Sequence, residues 1–178
     1  IAADNKGPIT YGGTTPAYTT TVSNLKNGDT LGQALSTAAT VADDNVRSSA
    51  GFLTAGSHTL TPSGAVDQLG YALSYTNGAL TISKANLAVS GLTAQNKVYD
   101  ATLAATLTGM PTLSGILAGD LVTVSGTATS GTFADKDVGT GKSVTATLGG
   151  LALGSTDAGN YQISGVTTPL TANITPAS

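Results

Sequence analysis

The chain has 178 residues, seven basic and ten acidic side chains, a formal net charge of −3, one histidine and no cysteine. The acidic balance excludes the basic footprint that nucleic acid requires. No disulfide or thiolate metal site is possible, and no apolar run of about 18 residues offers a membrane-spanning helix. Only 10% of residues are charged. Every acid is Asp, and Glu, a strong helix former, is absent. Gly, Thr, Ser and Ala dominate, which suits a weakly charged, β-rich exterior module.

In chain order, residues 1–3 read as the end of a strand, and Asn5-Lys-Gly-Pro8 as a turn. Ile9-Thr-Tyr11 reads as a short strand before Gly12-Gly13. Tyr18, Thr20 and Val22 alternate along another strand, which Asn27-Gly28 breaks. Asp29 is placed to cap a short helix over residues 29–36, with Leu31, Ala34 and Leu35 at helical spacing. Asp43-Asp44-Asn45 reads as a polar loop. Phe52-Leu53 and His58-Thr-Leu60 read as two short strands, interrupted by Gly56 and by Pro62-Ser-Gly64. Apolar and polar residues then alternate on both sides of Asn77-Gly78. This predicts a β-hairpin over residues 71–83 with a type I′ turn. Leu87-Ala-Val89 reads both as linker and as the first strand of the second half of the chain.

Further on, residues 121–124, 127–133, 144–148 and 151–153 read as strands. Loops are read at 135–141, at Gly149-Gly150 and at 155–159. Leu170, Ala172 and Ile174 share a face of the last strand. Short strands with turns every eight to twelve residues indicate an antiparallel sandwich.

A repeat organises the chain. Ala3-Asp-Asn-Lys6 returns 91 residues later as Ala94-Gln-Asn-Lys97, and Gly28-Asp29 returns at the same offset as Gly119-Asp120. Tyr11 and Tyr99 are 88 apart, and Tyr71 and Tyr161 are 90 apart. Four landmarks in one order at nearly one offset indicate two related modules of roughly 90 residues. The expected division is 1–86 and 87–178. The chain begins at Ile1 and its single Met is Met110. The joint segment 87–91 has no counterpart at either end. Further modules on both sides are therefore expected.

Module one resembles the MBG domain of YGX type, on Ile9-Thr-Tyr-Gly12, Asn27-Gly-Asp29 and the ending at 71–85. Module two resembles the YDG domain, on Lys97-Val-Tyr-Asp-Ala-Thr102, Gly119-Asp120, residues 133–142 and Asp157-Ala-Gly-Asn-Tyr161. The third name-giving residue is Ala101 here, commonly Gly in the family. The resemblance implies tandem modules of large bacterial surface or secreted proteins, in particular filamentous-haemagglutinin-like adhesins. It implies a stalk or spacer role and transfers no catalytic residue.

Several motifs invite a chemical reading. Gly139-Thr-Gly-Lys-Ser143 mimics the tail of a phosphate-binding loop, but Lys136 stands where that motif needs Gly, and the residues after Ser143 have a strand pattern. Asp135 and Asp137 have the i, i+2 spacing of calcium ligands, and Asp43 and Asp44 form a second acidic pair. Both fall short of a full coordination shell, and a solvated turn is the plain reading. His58 is the only histidine and no Gly-x-Ser-x-Gly occurs, so it reads as a surface or strand residue. Lys97 and Asp100 could form an intramolecular isopeptide bond, given an apolar site and a nearby acid. One His, no Cys and no Glu equip acid–base catalysis poorly.

The expected fold is mainly β. Its second module is an antiparallel β-sandwich. Its first is a β-sandwich, or a two-layer grasp-like unit with one short helix. The two are expected to stand end to end in an elongated array. The expected role is a non-enzymatic stalk of an extracellular bacterial adhesin, with no cofactor, no bound nucleic acid and no membrane insertion. Neighbouring repeats are the expected partners, and binding of a glycan or host surface is the alternative role.

Overall fold

His58, Leu60 and Pro62 face inward while their neighbours face solvent, and that alternation lays down the longest strand of the first module. The computed structural model describes residues 1–178, which form two units, Ile1–Lys84 and Ala85–Ser178. The first contains β1 (Ala2–Ala3), β2 (Lys6–Thr10), β3 (Thr20–Thr21), a single helical turn α1 (Leu31–Ala34), β4 (Leu35–Thr37), β5 (Thr40–Ala42), β6 (Gly56–Ser63), β7 (Val66–Asp67) and β8 (Gly78–Ser83). Its main sheet runs β2-β8-β6-β5, and the pairs β1-β3 and β4-β7 are separate. Leu60, Leu80 and Ile82 from this sheet are buried together with Tyr11, Ala34, Leu35 and Leu53.

The expected hairpin across Asn77-Gly78 does not form. Residues 71–75 are not strand, and β8 pairs with β6 antiparallel and with β2 in parallel. Neither Asn77 nor Gly78 has the positive φ that a type I′ turn requires. Gly78 serves close approach instead, since a Cβ there would stand 2.5 Å from the Ala3 carbonyl oxygen. The two positive φ angles occur at Asn27 (56°) and Gly28 (77°), and the Asp29 N–H donates to the Lys26 carbonyl across them.

The helix is one turn long, too short to cover a sheet, so a grasp-like layer is not built. Thr30 caps it rather than Asp29, with Gln33 Oε1 accepting from the Thr30 N–H and hydroxyl. Leu35 then enters extended backbone and begins β4. Strand β6 is continuous through Pro62. Its pairing with β8 ends at Leu60, and beyond that point it pairs with β5. A proline's missing N–H therefore falls outside the β8 ladder.

The second unit contains β9 (Ala85–Ser90), β10 (Thr93–Ala94), β11 (Lys97–Val98), β12 (Ala104–Thr108), β13 (Thr112–Ser114), β14 (Thr123–Gly126), β15 (Ser130–Phe133), β16 (Gly139–Ala146), β17 (Leu151–Gly154), a 3-10 turn (Ala158–Asn160), β18 (Tyr161–Val166) and β19 (Leu170–Thr175). Six strands order as β10-β12-β15-β16-β19-β11, three as β13-β9-β18, and β14 pairs with β17. Leu107, Phe133, Val144, Leu170, Ala172 and Ile174 of the large sheet share one core with Val89 and Leu113 of the small one. That core is what makes the unit a sandwich.

The sandwich is antiparallel except at two places. Strand β11 runs parallel to β19, and β18 runs parallel to β9. Each parallel pair joins strands from opposite ends of the unit, so no turn residue announces it. The first unit has its own parallel pair, β2 with β8. In both units this pairing is fastened alike. Asn5 Oδ1 accepts from the Ala79 N–H at 2.9 Å, and Asn96 Oδ1 from the Asn173 N–H at 2.7 Å. The Tyr11 and Tyr99 amides donate to Ser83 O and Thr175 O, both at 2.8 Å.

Candidate functional site

The most elaborate polar arrangement shared by the two modules is a tyrosine clamp on a turn. In module two the Tyr161 hydroxyl donates to Asp120 Oδ2 at 2.5 Å and accepts from the Leu117 N–H at 3.0 Å. The Asp120 N–H closes the turn onto Leu117 O at 3.1 Å. In module one the Tyr71 hydroxyl donates to Asp29 Oδ2 and accepts from the Lys26 N–H, both at 2.7 Å. The Asp29 N–H closes onto Lys26 O at 2.9 Å. Tyr161 is buried and Tyr71 half-buried. Both partners of each clamp are repeat landmarks in the sequence. Sequence reasoning missed their contact, although a Tyr and a Gly-Asp recurring together at one offset is the signal that could have revealed it.

Beside the module-two clamp, buried Asp157 accepts from the Leu121 N–H at 2.8 Å, tying the 3-10 turn to the chain after Asp120. Ninety residues earlier, Asp67 accepts from the Leu69 and Gly70 amides. These are turn-fastening carboxylates, and their chemistry is hydrogen-bond acceptance.

The sequence candidates fall into separate places. Asp43 and Asp44 are adjacent but engaged differently. Asp43 accepts from the Tyr18 hydroxyl at 2.8 Å and faces Arg47 at 3.5 Å. Burial and the Asp43 carboxylate push the Tyr18 phenol up to about 12. Asp44 Oδ1 lies 2.7 Å from His58 Nδ1, and its other oxygen accepts from the Thr59 N–H. His58 is a buried strand residue, not a surface one, with Nε2 at 2.7 Å from Thr54 O. Burial alone would lower the His58 pKa. The bonds to Thr54 O and Asp44 outweigh it, and the net direction is upward. No Ser hydroxyl bonds to His58, since its two ring nitrogens face Thr54 O and Asp44.

In module two Asp135 is bonded to Lys142 and accepts from the Asp137 N–H at 2.9 Å. Gly139 to Ser143 lie within strand β16, where a phosphate-binding loop would open a helix. Across the structure, no group of three or more His, Cys, Asp or Glu side chains is gathered as a metal site.

Lys97 and Asp100 do meet. Lys97 Nζ stands 2.7 Å from Asp100 Oδ1, bonds to the Thr102 carbonyl at 2.7 Å, and lies 5.4 Å from the centre of the Phe133 ring. The Lys97 bond, aided by the Thr102 N–H and hydroxyl, lowers the Asp100 pKa to about 2. The pair is thus a lysine facing an ionised carboxylate, whereas amide formation needs a carboxylic acid to lose water. Directly after Asp100 in the motif, Ala101 takes φ +62°, a left-handed backbone.

The strands, the duplicated clamp and the parallel fastening define a class: a tandem of two related, small, mainly β modules. Residues 1–81 match the MBG domain (YGX type) and residues 83–169 the YDG domain, and the chain belongs to these two families in that order. Both are adhesin-type, non-catalytic modules, typical of bacterial surface adhesin-like proteins. Neither the curated proteins nor the solved structures contain a match to the chain. No helix is long and apolar enough to cross a membrane.

Proposed function

We propose that the chain is a spacer of a large secreted or cell-surface bacterial adhesin, carrying an adhesive region away from the cell, with neighbouring modules of its parent chain as partners. A spacer bears tension through the strands by which the chain enters and leaves each module. The observation that supports this reading is where those strands lie. Three of those four strands are interior: β8 runs between β2 and β6, β9 between β13 and β18, and β19 between β16 and β11, while β1, by which the chain enters module one, pairs with β3 alone. An edge strand peels away from one ladder, whereas an interior strand must lose two.

What the duplication repeats points the same way. The clamps and the asparagine fastenings occur in both modules. His58 and the Gly139–Ser143 motif each occur in one. Ser and Thr on exposed strand faces keep the surface wet with little charge, so its electrostatics respond weakly to salt.

Force spectroscopy on the chain held between marker domains tests the proposal. Two discrete unfolding events are expected, and Ala172→Pro, which breaks the interior ladder of β19, is expected to weaken one of them. Extension without discrete events would sink the spacer reading. Specific retention of a sugar on a glycan array would replace it with a binding module.

A further inference from the structure

In module two, β9 fills a slot between β13 and β18, and its Leu87 and Val89 are fully buried there. The walls of that slot recur in module one. Residues 71–75 correspond to 161–165 through the shared tyrosine, and residues 22–25 correspond to 113–116 through the shared turn. Between them lies a cavity of about 260 Å³, lined by Val22, Asn24, Leu25, Leu35, Leu73 and Ser74 among others. No charged side chain lines it.

The hydrogen-bond ladder already starts at the mouth of this cavity. The Thr76 N–H donates to Ile1 O at 2.9 Å, the Ile1 amino group donates to Ser74 O at 2.8 Å, and Ala2 bridges Thr76 in parallel. In module two the corresponding parallel ladder pairs Val166 with Val89 and Ile163 with Leu87. Thr21 pairs with Ala2 as Thr112, 91 residues on, pairs with Ser90, and the Thr76 N–H donates to Ile1 O as the Thr167 N–H donates to Val89 O. Ile1 therefore takes the place of Val89, and the place of Leu87 falls two residues ahead of Ile1. The side-chain space agrees. A Cβ built on Gly115 would lie 3.6 Å from Leu87 Cδ2, and the counterpart of Gly115 is Asn24, a cavity-lining residue.

We propose that this slot is a strand-acceptor site. Its occupant is an extended segment that runs directly into Ile1 with the chemistry of Ala85-Asn86-Leu87-Ala88, placing the apolar side chain at the Leu87 position in the cavity and continuing the parallel ladder along residues 71–75. The join between the two units has this form already, because only Lys84 separates β8 from β9. The strand that follows one module is then the strand that completes the next. The inference stands on the cavity and the ladder and does not require the spacer reading.

The test compares the 178-residue chain with two variants carrying Ala-Asn-Leu-Ala or Ala-Asn-Asp-Ala fused ahead of Ile1. Hydrogen exchange is followed by residue, with sedimentation alongside. The Ala-Asn-Leu-Ala extension is expected to slow amide exchange at residues 71–75 by about tenfold or more and to leave module two unchanged. The Asp version is expected to lose most of that protection, because the cavity offers its charge no partner. Equal protection from both extensions, or none from either, would overturn the proposal. A dimer of the unextended chain that the Leu extension dissolves would assign the slot to a second copy and overturn the occupant named here.

Discussion

The Tyr161 hydroxyl stands 2.5 Å from Asp120 Oδ2, and the Tyr71 hydroxyl stands 2.7 Å from Asp29 Oδ2. In each case the tyrosine is reached from the C-terminal third of its module and holds a turn about 41 residues earlier. The clamp closes a long loop of chain onto itself, and it does so where no ladder bond is available.

Tyr161→Phe is expected to destabilise module two by about 1–3 kcal/mol, because the Leu117 amide and the Asp120 carboxylate both lose a partner in a part-buried site. Tyr71→Phe is expected to cost less, since water reaches that clamp. Chemical denaturation of the two variants checks the order, and a larger loss at Tyr71 would contradict it.

Ala101 offers the opposite sign. Its φ of +62° is a backbone that L side chains adopt at a cost and glycine adopts freely. Ala101→Gly is expected to stabilise module two by about 1 kcal/mol, against the usual effect of introducing glycine. A lower melting temperature for the variant would show that relief of strain is not the controlling effect.

The His58–Asp44 pair makes module one sensitive to pH from both sides. The His58 pKa is raised above 6.5, so its contribution is fully present below that value and is lost as pH climbs through the folded pKa. Burial acts to raise the Asp44 pKa, but the bonds from His58 and the Val46 and Thr59 amides bring it below 3.8. That contribution is present above 3.8 and is lost as pH falls through the folded pKa. Thermal melts across pH are expected to show a stability maximum between these limits. His58→Asn is expected to remove the alkaline-side decline, and a decline that survives the substitution would rule the pair out as its source.

Backbone contact sets a further test. A Cβ on Gly109 would stand 2.0 Å from the Gly91 carbonyl oxygen at φ +110°, whereas one on Gly149 meets nothing within 4 Å. Gly109→Ala is expected to cost about 3 kcal/mol. Gly149→Ala is expected to stay within about 0.5 kcal/mol of the parent. Equal effects in urea unfolding would show that the chain gives way at Gly109.

Periodicity made much of this architecture legible in advance. The inward faces of β6, β8 and β19 follow from alternating residues, and the repeat follows from landmarks at one offset. The expected hairpin at Asn77-Gly78 failed for a physical reason. A two-residue turn motif states only that a tight reversal is possible there; the segment after it paired with β6 and β2, and residues 71–75 formed no strand. Asn27-Gly28 has the same letters and does make the turn. His58 looked like a surface or strand residue because its two partners, Asp44 and Thr54 O, come from a loop that the strand pattern does not position.

The amino-acid order by itself determined which residues face inward, where strands recur and which landmarks return at one offset, because side-chain alternation and chemistry are local properties of the chain. Only the tertiary structure decided that β2 lies along β8, that β11 lies along β19, that β9 lies along β18, and that each tyrosine closes on its aspartate. Backbone ladder bonds are chemically alike in every strand, so the choice among possible partners rests on how whole faces pack, and no short stretch of sequence contains that information.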